Sequence, residues 1–300
     1  MADVRSVLDA LDLAIARGEA VLDEDTALSL TTLASRLRTR AGFLGDVLVV
    51  ALAGGTGSGK SSLVNAIVGE ELVTTGVVRP TTSDALAVFR DDPYLDLGPL
   101  WTALGIEHRV AHDGAKSLVL VDLPDFDSTV EAHRHIVTEV LPVVDVVVWV
   151  LDPEKYADPI LHEGFLSSMT MYEEQFLFVL NQVDRLGDEV ESAISSLYGH
   201  LSGDGFSSPR VVGSMAADLE ASDISDLVAA LADRWDTKSA AIAKLALDTR
   251  SAASEGWKAC GSIDTREMGD RSRDEVALAR ATFVWLGVEA FALYHHVAGR

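Results

Sequence analysis

The chain has a single cysteine, Cys260, so no internal disulfide framework can form, which fits a reducing compartment. Positive charge is scarce as well. Against 47 Asp and Glu there are 24 Lys and Arg in 300 residues, a formal net charge of -23. Most of the excess lies between Ala51 and Ala230, and no Lys/Arg stripe offsets it. Such a surface repels nucleic-acid phosphates, so no nucleic-acid partner is expected. The opening MADVRSVLDALDLAIARGE carries Asp3, Asp9 and Asp12 where a signal peptide needs an unbroken apolar stretch, and a cytoplasmic protein is expected. Long apolar runs are lacking too. The strongest, ATFVWLGVEAFALYHHV from Ala281 to Val297, carries Glu289, His295 and His296 and is shorter than a membrane span. It reads as a buried or interface helix, with peripheral membrane contact the less favoured alternative. Repeats and low-complexity tracts are absent.

What is present centres on Asp46 to Val68, DVLVVALAGGTGSGKSSLVNAIV. Val47 to Ala53 is short, apolar and β-branched, and stops at two glycines, so it reads as a buried parallel strand. Gly54, Gly55, Gly57 and Gly59 allow a tight turn with N–H groups pointing inward, and SSLVNAIV has helical spacing. Gly54, Gly59, Lys60 and Ser61 fill the fixed positions of G-x-x-x-x-G-K-[ST]. In that pattern the lysine reaches the β/γ-phosphates of a nucleotide and the hydroxyl ligates Mg²⁺. The candidate phosphate-binding residues are Gly55, Thr56, Gly57, Ser58, Gly59, Lys60, Ser61 and Ser62.

Before this strand, Val4, Val7, Leu8, Leu11 and Ile15, then Leu30, Leu33 and Leu37, recur at helical spacing on either side of an acidic break, Asp23 to Asp25. Two amphipathic helices are expected there, with the C-terminal helical region as their partner. After the phosphate loop, Gly69 to Pro80 reads as a loop and Ala85 to Arg90 as a strand. Asp91 to Gly114 holds at most a short helical turn near Trp101 and Leu104. Ser117 to Val121 is an apolar strand ending at Asp122, where a carboxylate beside the phosphate loop can hold Mg²⁺ through water. Ser128 to Leu141 looks helical, Asp145 to Leu151 is a buried strand, and a helical stretch runs on through Met171. Gln175 to Leu180 is a strand closing on Asn181-Gln182-Val183-Asp184. A carboxylate at such an edge pairs with the adjacent N1–H and N2–H donors of guanine, a pair that adenine lacks, so Asp184 is the candidate selector of GTP over ATP. Val190 to Leu201 reads as a helix, Arg210 to Gly213 as a last strand and Ile224 to Trp235 as a helix. Beyond Thr237 the chain reads as mostly helical, broken by a loop near Gly256 to Gly269. Strands alternating with helices specify an α/β fold with a doubly wound, mostly parallel sheet and the ligand above the strand C-termini. The expected organisation is N-terminal helices over 1–45, a nucleotide domain over 46–236 and a C-terminal helical region over 237–300.

With GGTGSGKS, RPTT, DLPD, NQVD and GSMA in that order, the chain resembles the translation-factor-related P-loop GTPases. It is most similar to the Era-like branch and to bacterial dynamin-like relatives of the YfjP type, the latter also through VDLPDFDS (Val121 to Ser128) and DPEKYAD (Asp152 to Asp158). The resemblance covers Val47 to Trp235. It implies GTP and GDP as ligands, Mg²⁺ as cofactor, and Thr82, rather than Thr81, as the γ-phosphate sensor completing the metal set Ser61, Thr82 and Asp122. Lys60, Thr82 and Asp122 are then the catalytic candidates. It further implies that Asn181 braces the base pocket, with Gln182 and Asp184 beside the base, and that Ser214, Met215 and Ala216 offer backbone amides to the guanine oxygen. The sequence departs from the family pattern at four places. Gln182 replaces the usual lysine, Asp125 the usual glycine, Phe126 a water-orienting glutamine, and Gly57 the asparagine of potassium-activated relatives. The resulting expectation is a slow Mg-dependent GTPase switch activated by a partner protein or by a second copy. The alternatives are a nucleotide-holding module with little turnover and a dynamin-like membrane-associated GTPase. A ribosome-assembly role of the Era sort would need a basic RNA-binding domain that this sequence lacks.

Overall fold

The computed structural model describes residues 4–18, 22–41, 47–73, 85–91, 97–112, 118–124, 135–216, 219–262 and 270–298. The chain divides into two compact units, Val47–Arg234, and Met1–Asp46 together with Trp235–Arg300.

Two helices open the chain. In α1 (Val4–Gly18) the buried residues Val4, Val7, Ala10, Leu11 and Ala14 fall at i, i+3 and i+4 spacing along one stripe. α2 (Glu24–Ala41) begins where the Asp23 carboxylate accepts the Thr26 N–H at 2.8 Å, so the acidic break is a helix cap. That backbone bond holds the Asp23 carboxyl below the usual carboxylate range.

The sheet unit follows. In β1 (Leu48–Ala53) all six residues are buried, as a central parallel strand requires. α3 (Lys60–Val68), β2 (Leu86–Arg90), α4 (Gly98–Ala103), β3 (His108–His112), β4 (Leu118–Asp122), β5 (Val146–Leu151), α5 (Pro159–Gly164), β6 (Phe176–Leu180), α6 (Val190–Asp204) and β7 (Val211–Gly213) complete it. The seven strands lie in the order β3-β2-β4-β1-β5-β6-β7. β4, β1, β5, β6 and β7 are mutually parallel, whereas β2 runs antiparallel to β4 and carries β3 parallel beside it. β3 is absent from the sequence reading because HRVAH is a mostly exposed edge strand without an apolar run. Under β5 and β6, Trp149 packs edge-on against Phe165 and Phe176 at 5.4 and 5.6 Å. The stretch expected to be helical through Met171 breaks at Phe165, with a 3₁₀ segment over Leu166–Gln175. Of the expected helix over Ser128 to Leu141, the described part is a π-helical turn at Ile136–Val140; residues 128–134 lie outside the described residues.

Two long helices complete the chain, α7 (Ser225–Ser262, 38 residues) and α8 (Asp270–Ala298, 29 residues). The loop expected from Gly256 is helix as far as Ser262. Gly256 serves packing rather than turning. A Cβ there would lie 2.4 to 2.7 Å from three atoms of the Phe283 ring, so only glycine lets α7 approach α8 this closely. In the helical unit, Val7, Leu11 and Ala14 of α1, Leu30 and Ala34 of α2, Ile242, Ala246 and Ala253 of α7, and Phe283, Leu286 and Leu293 of α8 form one core. Cys260 is buried in it, and burial pushes its thiol pKa up, which makes the one cysteine a packing residue. By length and composition Arg273–Val297 is long and apolar enough to cross a membrane. The helix that carries the apolar tail is longer than the tail itself, because it starts upstream among charged residues.

Phe283, 1% exposed, is the largest side chain of that core. Phe283→Ala is expected to lower stability by about 3–5 kcal/mol through lost burial and a residual cavity. Urea unfolding of the full chain reads this as a lower midpoint, with Phe283→Leu losing less than half as much.

Candidate functional site

The site lies where β1, β4, β5 and β6 end. The chain leaves β1 through Gly54, where a Cβ would sit 2.3 Å from the Val150 carbonyl oxygen of β5, so a side chain is excluded by close approach. Gly59, at φ +92°, leads into α3, and a Cβ there would lie 2.3 Å from Asn181 Nδ2. Gly55 has neither constraint: its Cβ would meet open space.

Five consecutive carbonyls of this loop are held by side chains. Lys60 Nζ donates to Gly54 O at 2.9 Å and to Gly55 O at 3.5 Å. Lys155 Nζ donates to Thr56 O at 3.4 Å, Gln182 Nε2 to Gly57 O at 2.8 Å, and Asn181 Nδ2 to Ser58 O at 2.9 Å. Held oxygens fix the peptide planes of the loop, and the Ser58 N–H is itself taken by Gly55 O at 3.3 Å. The loop then opens directly into α3, where Lys60, Ser61 and Ser62 sit in the first turn, whose N–H groups have no partner inside a helix. Oriented loop amides, a helix N-terminus and a buried ammonium together make an anion site.

Beside the loop, Ser61 Oγ donates to Asp122 Oδ2 at 2.7 Å. Asp122 is the last residue of β4, in register with Leu52 of β1. A hydroxyl and a carboxylate in contact are hard oxygen donors of the kind Mg²⁺ accepts from a protein while taking its other ligands from water and phosphate. Among the described residues no group of three or more His, Cys, Asp or Glu side chains is placed to hold a metal by itself. Thr82, Asp125 and Phe126 lie outside the described residues.

On the other side of the loop, β6 delivers Asn181, which is buried and bridges two segments: its Nδ2 holds Ser58 and its Oδ1 accepts the Ser214 hydroxyl at 3.0 Å. Gln182 follows at φ +59°, the one non-glycine with positive φ among the described residues, a backbone cost that local contacts must offset. Its side chain supplies them, through Gly57 O and through Arg185 Nη1, which donates to Gln182 Oε1 at 2.7 Å. Asp184 is exposed and makes no hydrogen bond among the described residues, leaving both carboxylate oxygens open to a ligand. The three amides expected to face a base are not equivalent. Ser214 N donates to Leu180 O at 2.9 Å and Met215 N to Asp223 O at 2.9 Å. β-sheet pairing, invisible in GSMA itself, has consumed both, and of the three only the Ala216 amide has no backbone partner among the described residues.

The sequence reading assigned no role to two cations brought here from a distance. Lys155 belongs to the turn after β5, where the Asp152 carboxylate accepts the Glu154 and Lys155 N–H groups at 2.9 and 3.1 Å. Arg185 bonds both Gln182 and Glu154. DPEKYAD and NQVDR contained them, but only the approach of β5 and β6 to the loop shows where they point.

Residues 49–182 match the family described as 50S ribosome-binding GTPase. Among curated proteins none matches the sequence. Among solved structures, one member of an oligomerised bacterial dynamin pair, associated with long-range sensing and tethering of membranes, is 13% identical with a TM-score of 0.51, over 93% of this chain and 50% of that one. Era of Aquifex aeolicus, bound to GDP·AlF4⁻, is 18% identical with a TM-score of 0.43, over 63% of this chain and 57% of its own. The FeoB G-domain of Methanococcus jannaschii is 22% identical with a TM-score of 0.36, over 63% of this chain and 98% of its own. The chain spans about half the length of the dynamin-pair protein it matches, and at 13% identity that likeness shows the fold alone. The phosphate loop on β1, Asp122 closing β4 and Asn181 closing β6 all lie within the matched segment, and over those residues the chain has a P-loop GTPase fold and is similar to that family.

Proposed function

We propose that the chain is a cytoplasmic guanine-nucleotide switch that hydrolyses GTP slowly. The observation that carries this is the side-chain hold on five successive loop carbonyls, which fixes the loop directly ahead of the α3 N-terminus. Asp184 beside it offers an open carboxylate to a base. Lys60 supports charge on the β/γ-phosphates, the loop amides hold the oxygens in place, and Asn181 ties the phosphate half to the base half. Asp184 accepts the two adjacent guanine donors and the Ala216 amide meets the guanine oxygen. Ser61 and Asp122, with Thr82 as the third candidate from the sequence, would hold Mg²⁺, which when bound neutralises phosphate charge. Phe126 stands where many such domains carry a water-orienting glutamine, so turnover is slow until a partner protein or a second copy completes the site. Binding of GTP, GDP and ATP to the purified chain, with and without EDTA, tests this reading. GTP and GDP are expected to bind at least a hundredfold tighter than ATP, and chelation is expected to suppress hydrolysis. Equal affinity for GTP and ATP overturns the guanine assignment.

A second reading, membrane association, is favoured by one feature of α8. Its inward face is core, but Leu278, Val284, Trp285, Val288 and Phe291 are exposed along the helix. Phe283, Leu286, Ala290 and Leu293 are buried, whereas Val284, Trp285, Val288 and Phe291 face out. Co-sedimentation with vesicles of anionic and neutral lipid tests this reading, and no binding to either removes it.

A further inference from the structure

Lys155 is an exposed side chain whose position is fixed by its neighbours. The Asp152 carboxylate closes the turn that carries it, and the Asp152 carbonyl accepts the Lys155 and Tyr156 N–H groups at 3.2 and 3.0 Å. On one side, Glu154 is paired with Arg185, which also holds Gln182 and through it Gly57 of the phosphate loop. On the other side, the Tyr156 carbonyl meets His162 Nε2 at 2.7 Å, and His162 Nδ1 faces the Asp204 carboxylate at 2.5 Å in a largely buried pair. Both flanking residues are therefore anchored, one to the base-side segment and one to α5 and α6. The ammonium between them lies 3.4 Å from Thr56 O.

That contact is long for a charge-assisted hydrogen bond and uses at most one of three N–H donors. Lys60 bonds the two preceding carbonyls of the same loop, so two ammonium groups sit on adjacent peptide oxygens of a loop one backbone thick. In a chain with a net charge of -23, holding a second cation there needs a reason. Phosphoryl transfer supplies one, because catalysis of this reaction is largely positioning and electrostatic stabilisation, to which a positive side chain entering beside the phosphate loop contributes. A four-carbon stem lets the ammonium leave Thr56 O for an oxygen held by the adjoining amides without moving the anchored turn.

We propose that Lys155 is a catalytic residue supplied in cis, contacting the terminal phosphoryl group and stabilising the charge that builds up as it is transferred. In the step it serves, the bond from the water oxygen to Pγ forms and the bond from Pγ to the β,γ-bridging oxygen breaks. The electron pair of that bond goes to the bridging oxygen, which becomes a β-phosphate oxygen of GDP. The water proton leaves with the inorganic phosphate product. Lys155 keeps its protons and its charge throughout. This inference rests on the GTPase reading given above.

The test measures single-turnover GTP hydrolysis, and affinity for GDP and for a slowly hydrolysed GTP analogue, on the wild type, Lys155→Met and Lys155→Arg. Lys155→Met is expected to lower the rate about a hundredfold, to weaken the analogue severalfold and to leave GDP affinity within about threefold. Lys155→Arg should recover most of the rate because the charge is restored. If the wild type turns over and Lys155→Met matches it, the role of Lys155 falls while the GTPase reading stands. If GDP affinity falls as far as the rate, or if Lys155→Arg is no better than Lys155→Met, Lys155 only supports the loop and the proposal is overturned. A wild type that binds no guanine nucleotide removes both.

Discussion

Lys60→Ala is expected to lower single-turnover GTP hydrolysis by at least about a thousandfold, the scale on which losing a fixed positive charge at a transferring phosphoryl group is felt. Lys60 is 3% exposed, and its ammonium is held by the Gly54 and Gly55 carbonyls. The substitution therefore acts twice. It removes the charge that faces the β/γ-phosphates, and it leaves the Gly54 oxygen without its side-chain donor and the Gly55 oxygen with the Ser58 N–H alone, which loosens the nest of amides. Lys60→Arg is expected to restore little, because a planar guanidinium does not fit a buried space shaped for one nitrogen over two carbonyls. Rapid-quench measurement of phosphate release, beside a thermal melt showing the variant folded, checks both substitutions. Undiminished turnover by folded Lys60→Ala would mean that the loop is not the phosphate site.

The features legible in the sequence are those written in short stretches. β1, its glycine loop and α3 follow from an apolar run, four glycines and a helical period within 23 residues, Asp122 follows from its place at the end of an apolar strand, and Asn181 follows only from the family resemblance. Features made by residues far apart were not legible. The β-bridge from Met215 to Asp223 and the bond from Ser214 N to Leu180 O remove two of the three amides expected at the base. Glycine misled in one place: Gly256 reads as a turn in isolation, but the Phe283 ring packs where its side chain would be. α7 was cut short at Trp235 because Asp236 and Thr237 interrupt the apolar spacing there, although tertiary packing carries the helix on. Lys155 and Thr56 are 99 residues apart, and Arg185 and Glu154 are 31 apart. No periodicity encodes such pairs. They become visible only when the parallel order β1-β5-β6 lays three strand ends side by side.

The same strand ends set the second large effect. Asp184→Asn is expected to weaken GTP and GDP by about a hundredfold to a thousandfold while leaving the phosphate loop intact. An exposed aspartate with both oxygens open pairs with two neighbouring N–H donors on one edge of the guanine ring, and charge-assisted bonds of that kind contribute about 1.5–3 kcal/mol each. Asparagine keeps one acceptor and presents an NH₂ group to the other donor, so one bond is lost and a donor faces a donor. The same exchange makes a testable gain. A purine carrying a carbonyl oxygen in place of the exocyclic amine offers the acceptor that the new NH₂ group needs, so xanthosine triphosphate should bind Asp184→Asn better than it binds the wild type. Because Asn181 and Gln182 grip Ser58 and Gly57 independently of Asp184, hydrolysis of saturating xanthosine triphosphate by the variant should approach the wild-type rate with GTP. Competition titrations with GTP, ATP and xanthosine triphosphate against a fluorescent nucleotide measure the exchange directly. Parallel weakening of all three would show that Asp184 holds the loop rather than reads the base.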